Sequence, residues 1–426
     1  MEKPSFRNAF LFWLKMGFIS FGGPAGQIAV LHEELVERKK WISEDRFLHA
    51  LNYCMLLPGP EAQQLCIYIG WLLHETWGGI VAGSLFVLPS LGILTLLSWV
   101  YVSFGKVFVI SGLLYGLKCS VLALVAAAVL RIGQKALKNF IMFALAGFAF
   151  VGIYFLHIPF PVIVLSAGLI GFVGGKIWPQ IFCVIKGHGS SEGVLELNAD
   201  HHTYTSWGRV FKILFLGLIL WLLPLFLFNF FRGSQDVFTQ QAWFFSKAAM
   251  VTFGGAYAVL PYIAQAGVQT YGWLSASQMM DGLGLAETTP GPLIMVVTFI
   301  GYVGAYQHPG IFSPALAGFW GGAIATYFTF IPCFFWIFLG APYIEKTREN
   351  IRFSAALSAI TAAVVGVILN LSVFFGKNLL WQAKGHFDYF AAVLALLAFI
   401  ALHRFKWNVI YVVLGGALLG LVYQFL

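Results

Sequence analysis

Residues 15–60 read KMGFISFGGPAGQIAVLHEELVERKKWISEDRFLHALNYCMLLPGP, and residues 247–292 read KAAMVTFGGAYAVLPYIAQAGVQTYGWLSASQMMDGLGLAETTPGP. Lys15, Phe21-Gly22-Gly23, Trp41 and Pro58-Gly59-Pro60 recur as Lys247, Phe253-Gly254-Gly255, Trp273 and Pro290-Gly291-Pro292. Every pair is 232 residues apart, without a gap. Self-similarity at a long fixed period means two copies of one structural unit. Pro24 follows the first glycine pair and Ala256 the second, so the second corner is expected to be looser.

The rest of the chain says where these copies live. It is 426 residues long, 60% hydrophobic and 17% aromatic, with only 10% charged residues, against about 25% charged in a soluble domain. That composition describes a polytopic membrane protein. The net charge of +8 then concerns topology, because the basic residues lie singly or in small groups between apolar runs. No P-loop, nucleic-acid module or cleavable signal is legible. His32-Glu33-Glu34 lacks the second histidine of a zinc protease signature, and no paired catalytic constellation is present, so an enzyme is not expected. Cys54, Cys66, Cys119, Cys183 and Cys333 have no CxxC spacing and read as buried free thiols. Neither metal nor cofactor is implied.

Nine runs are long enough to cross a bilayer, which takes about 20 apolar residues: 78–104, 119–137, 140–156, 159–183, 210–231, 311–340, 354–375, 387–402 and 406–425. The division expected is a first repeat over 1–185, a polar linker over 186–209, a connecting span over 210–231 and a second repeat over 232–426. His188, His201 and His202 fall in the linker and read as solvated. The repeated blocks hold half-length segments, 5–20, 25–40, 44–57 and 61–74, broken at the glycine pair and at Pro-Gly-Pro. Each proline removes an amide donor and disfavours helix in the residue before it. A half-helix of about 14 residues, about 21 Å long, enters a 30 Å core without crossing it. Broken spans and re-entrant hairpins both fit. Hairpins are favoured because they move Arg38, Lys39, Lys40 and Arg46 to the more basic side of the membrane.

In either reading an odd number of crossings separates the copies, so the second is upside down relative to the first. The fold expected is all-α and polytopic: two inverted-topology repeats, each with two Gly/Pro-tipped hairpins plus plain transmembrane helices. That is the plan of secondary transporters, whose sites form from discontinuous helices where the repeats meet. The tips must then face protein or a wet cavity.

A helix restarting after each tip presents amides with no intrahelical partner and the positive end of its dipole, an anion site. Glycines let the backbone approach a ligand; the bland alternative is close helix packing. Lys15 and Lys247, six residues before each Phe-Gly-Gly, are costly inside an apolar run unless paired. A bound oxyanion would pair them, though a lysine can also reach the interface. Glu61 and Glu287 flank the Pro-Gly-Pro motifs without a counterpart in the other copy, and are the candidates for proton coupling. Asp281 is a weaker one. For Glu61 the alternative is a first-turn acid on the helix dipole. Arg38 with Lys39 and Lys40 reads as a basic edge or an anion-attracting mouth, and Trp41 and Trp273 as interfacial anchors.

These blocks, with GGIVAGSLFVLPS and LAETTPGPL, resemble the long-chain, two-domain members of the chromate ion transporter family over nearly the whole chain. The resemblance implies a multi-pass inner-membrane protein that expels chromate using the proton motive force. Carried over by position, its motif residues are Phe21, Gly22, Gly23, Pro24, Arg38, Trp41, Pro58, Gly59, Pro60, Gly254, Gly255, Pro290, Gly291 and Pro292. Sulfate has the same shape and charge, so another small-oxyanion carrier or channel is the alternative. A homodimer and the mode of alternating access stay open.

Overall fold

The nine apolar runs and the four half-length segments all appear as helix in the computed structural model, which describes residues 4–21, 23–182, 207–253, 255–344, 351–381 and 386–426. Nearly all of the expected linker lies outside the described residues, as do Cys183, His188, His201, His202, Gly22 and Gly254. The helices are α1 (Phe6–Ile19), α2 (Gly23–His32), α3 (Glu44–Leu56), α4 (Glu61–Phe104), α5 (Phe108–Ala136), α6 (Phe140–Tyr154), α7 (Phe160–Ile177), α8 (Pro179–Phe182) and α9 (Trp207–Arg232). They continue with α10 (Val237–Met250), α11 (Ala256–Gln265), α12 (Ala276–Thr288), α13 (Val296–Gln307), α14 (Pro314–Ile344), α15 (Ile351–Leu380), α16 (Tyr389–His403) and α17 (Val409–Phe425). A single bridge between Trp381 and Phe387 is the one extended pairing among the described residues. The fold is therefore all-α, and among the described residues six helices are long and apolar enough to cross a membrane.

The repeat is visible element by element. Helices α3 and α12, at 44–56 and 276–288, differ in number by the same 232 residues. In both copies the helix after the glycine corner runs on into a π-helical turn, Glu33–Arg38 and Ala266–Thr270. The span labelled α4 is two helices joined at His74 (φ −140°, ψ 36°) and Glu75 (φ 53°, ψ −150°), where the chain doubles back so that Gly70 and Gly78 lie against each other's carbonyl. Its first thirteen residues thus form a half-helix before the long span begins. The second copy makes the same division with a true break, between α13 and α14.

Local chemistry sets the helix starts. Ser5 caps α1, Asn139 caps α6, Asp236 caps α10 and Asp388 caps α16, each accepting from a first-turn amide. Ser275 and Gln278 form a reciprocal capping box on α12. Burial follows the membrane logic. Residues 296–305 of α13 and 62–73 of α4 are buried throughout, so the half-helices after Pro-Gly-Pro are sheathed by protein. Only 11% of the most apolar window of α9 is buried, which marks it as peripheral. Small residues bring the long helices together: a Cβ on Gly116 of α5 would meet the Gly416 carbonyl of α17 at 2.0 Å. Likewise Gly301 of α13 and Gly321 of α14 each lie against the other's carbonyl.

Candidate functional site

The two copies meet at their corners. After α3 the backbone turns through Pro58-Gly59-Pro60 with Gly59 at φ +127°; after α12 it turns through Pro290-Gly291-Pro292 with Gly291 at φ +101°. L side chains rarely adopt these values, and both sites are also filled. A Cβ on Gly59 would lie 2.6 Å from Cys333 Sγ, and one on Gly291 would lie 2.6 Å from Ser90 Cβ. The Gly59 amide donates to the Thr252 carbonyl at 2.8 Å, and the Gly291 amide donates to the Ser20 carbonyl at 2.8 Å. Ser20 and Thr252 are themselves 232 residues apart, as are Gly59 and Gly291. Each Pro-Gly-Pro corner is thus pinned to the opposite copy's Phe-Gly-Gly corner, a reciprocal pair of contacts. The Phe-Gly-Gly corners also face each other: the Cβ positions of Gly23 and Gly255 lie 3.7 Å from the Tyr257 ring and 3.8 Å from Pro24.

Donors without partners gather here. Neither α4, starting after Pro60, nor α11, starting after Gly255, has a side-chain cap, and the turn after Pro292 lacks one too. Each such start carries about half a positive charge. Ser20 Oγ, Ser90 Oγ and both polar atoms of Gln63 are buried with no hydrogen-bond partner among the described residues. Ser20 belongs to a corner, Ser90 faces Gly291, and Gln63 lies in the first turn after Pro60. Buried polar side chains are ordinarily paired, so the atoms left without a partner near these corners are candidates for contact with a ligand. Gln27 and Gln64 brace it: Gln27 Nε2 donates to the Gly291 carbonyl at 2.5 Å, and Gln64 Nε2 to the Pro58 carbonyl at 2.8 Å.

The family model described as chromate transporter matches residues 7–172 and 239–421, most of the chain and both copies. The chain belongs to the chromate transporter family. It is similar to the chromate transport protein of Cupriavidus metallidurans, 28% identical over 98% of this chain and 92% of that protein. It is similar also to the chromate transport protein of Pseudomonas aeruginosa, 30% identical over 98% and 92%. An uncharacterized transporter of Bacillus subtilis is 30% identical over 37% of this chain and 82% of its own length. No solved structure matches. The family is one of transporters rather than enzymes, and with its long apolar helices this member is a multi-pass protein of the plasma membrane.

The charged candidates of this transporter are distributed unevenly around the corners. Glu287 is 6% exposed and accepts from the Tyr257 hydroxyl at 2.8 Å. The guanidinium of Arg131, on α5, acts electrostatically on both. Glu61 is half-buried in the first turn of α4, on the positive end of its dipole. Asp281, 3% exposed, accepts from Tyr101 at 3.0 Å and faces the Lys118 ammonium at 3.9 Å, tying α12 to α4 and α5.

Lys15 differs from the expectation of an ammonium lacking a protein partner. Its side chain is 52% exposed and donates to Glu34 Oε1 at 2.9 Å. The π-helical turn after α2 folds Glu34 back over α1, a pairing across 19 residues that helical spacing does not reveal. Arg38 is held there too, 3.2 Å from Glu34 and 2.6 Å from Glu33. Lys15, by its hydrogen bond, keeps the Glu34 carboxyl below its ordinary value of 4.5. Lys247 is exposed in the last turn of α10, with no ion pair among the described residues. Trp41 packs on Phe12 beneath Lys39. Trp273 is 1% exposed and stacked on Tyr271, so it is a core residue rather than an interface anchor.

Sequence reading missed Arg131, Tyr257, Gln27, Gln63 and Ser90. A base amid the apolar residues of a membrane-length helix was a usable signal for Arg131. The others had none, since polar residues scattered through helices acquire meaning only from their neighbours.

Proposed function

We propose that this chain exports chromate across the plasma membrane by proton-coupled secondary transport, holding the dianion where the four corners cross. The observation that carries this reading is the reciprocal pair of backbone hydrogen bonds joining opposite copies, with unpartnered buried donors around it. Uncapped helix starts and the hydroxyls and amide of Ser20, Ser90 and Gln63 would donate to the oxyanion's four oxygens. Such charge-assisted bonds are the strong kind. Phe21, Pro24, Pro58, Pro60, Phe253, Pro290 and Pro292 shape the corners; Gly23, Gly59, Gly255 and Gly291 let the backbone approach, and Gly22 and Gly254 belong to the same motifs in sequence.

Arg131 and Lys247 supply full positive charge, Glu287 carries the proton, and Glu61 is the second candidate for that role. Lys15 and Arg38, drawn together by Glu34, hold the base of the first hairpin. The halves act as inverted repeats with re-entrant hairpins. The odd number of intervening spans supports this, as does the half-length Bacillus subtilis relative, which points to one repeat as a unit. An inside-negative potential favours outward movement of a dianion by about 2.3 kcal/mol per charge per 100 mV.

The test is chromate uptake into everted vesicles with pH gradients of both senses and with sulfate as competitor. Stimulation by one gradient, with little competition, is the expected outcome. Indifference to both gradients removes proton coupling, and sulfate competing on equal terms removes chromate as the preferred substrate.

A further inference from the structure

Glu287 and Tyr257 are hydrogen-bonded, and the guanidinium of Arg131 acts electrostatically on both. The Tyr257 hydroxyl donates to Glu287 Oε1, and the residue packs against the apolar cluster that Ala123, Leu124 and Ala127 of α5 form with residues of α16 and α17. Arg131 lies one turn beyond Ala127 and two beyond Leu124, on that same face. The Cε2 and hydroxyl of Tyr257 border the Cβ position of Gly23, at the first corner. Arg131 is exposed and has no ion pair among the described residues, whereas Glu287 is buried three residues before Pro290. The carboxylate therefore stands next to the place proposed for the anion, within the field of a guanidinium that has no ion pair among the described residues. The other base and tyrosine near α12, Lys118 of α5 and Tyr101 of α4, are engaged by Asp281, more than a turn away. Tyr257 and Arg131 are thus the groups that act on Glu287.

Charge decides the order of events. An ionised Glu287 repels a dianion in the same low-dielectric pocket and draws on the field of Arg131. A proton on Glu287 removes the repulsion and leaves that field to the anion. We propose that Arg131 is the anion's cation and that proton and oxyanion load together, so each dianion leaves the cell with a proton rather than in exchange for one. This rests on the transport reading above. The balance is simple: Glu287 takes a proton from the cytoplasmic side as the anion enters, and both are released outside. The net transfer is one negative charge outward, which an inside-negative potential drives.

The experiment uses the full chain in proteoliposomes at alkaline pH, with a lumenal pH dye, radiolabelled chromate outside and the potential clamped. Acidification of the lumen in step with chromate entry is expected. Lumenal alkalinisation would mean exchange and overturn the inference while leaving proton coupling intact; no pH change would remove proton coupling itself. Arg131→Gln should raise the chromate KM at least tenfold, with Arg131→Lys recovering part of it. Unchanged KM in Arg131→Gln would remove Arg131 from the site. Glu287→Gln should move chromate without protons and without pH dependence, with Glu287→Asp as the variant that retains both. Protons still accompanying chromate in a folded Glu287→Gln protein would overturn the proposal.

Discussion

Replacing Gly291 by alanine tests whether the corners are packed as described. Two terms add. The φ of +101° strains any L side chain by about 1–3 kcal/mol. The new Cβ lies 2.6 Å from Ser90 Cβ on the rigid α4, an overpacking of about 1–3 kcal/mol. Gly23→Ala is the internal control, because it also has positive φ (+69°) but its nearest neighbour stands 3.7 Å away. Strain alone should make it worth about 1–2 kcal/mol. Unfolding in detergent micelles should therefore rank Gly291→Ala below Gly23→Ala by roughly 2 kcal/mol. Adding Ser90→Gly to Gly291→Ala should restore at least about 1 kcal/mol in a double-mutant cycle. Equal penalties at the two glycines, with no coupling to Ser90, would refute the packing of the second Pro-Gly-Pro against α4.

Three further outcomes follow from named contacts. Lys15→Ala should destabilise by less than about 1 kcal/mol, because a half-exposed ion pair is worth little. Since Glu34 titrates below its ordinary value of 4.5, the pair's contribution is full above that pH and fades as pH falls through the depressed value; denaturation at neutral pH and at roughly pH 3 checks it. Asp281→Asn leaves Lys118 facing a neutral partner inside the bundle, and should cost about 3 kcal/mol in thermal unfolding. Ser20→Ala and Ser90→Ala should each weaken chromate binding several-fold while leaving stability unchanged, because neither hydroxyl has a partner among the described residues; equilibrium binding reads this directly.

The all-α membrane fold and its helix breaks were legible because their signals are coarse and doubled. Apolar runs mark helices whatever packs against them, and a glycine or proline pair breaks a helix in any surroundings. Two copies at one offset separate such breaks from chance. The site was less legible for the same reason, since a repeat advertises what the copies share. Tyr257 aligns with Ala25, Glu287 with Met55 and Gln27 with Val259, so the asymmetric polar groups at the crossing leave no trace in the comparison. Lys15 misled because it is shared: its partner Glu34 reaches it only through a π-helical turn, whose geometry ordinary helical spacing does not express. Trp273 is a tryptophan at the edge of a segment by sequence, yet Phe244, Phe245 and Tyr271 enclose it.

The most direct measurement is the position of a heavy oxyanion, chromate or its molybdate analogue, in an experimental density map of the full-length protein. Density within hydrogen-bond reach of Ser20, Gln63, Ser90 and the amides after Pro60 and Pro292 is what the crossing corners require. Density confined to the basic edge at Arg38, Lys39 and Lys40, with the corners closed on each other, would contradict the account.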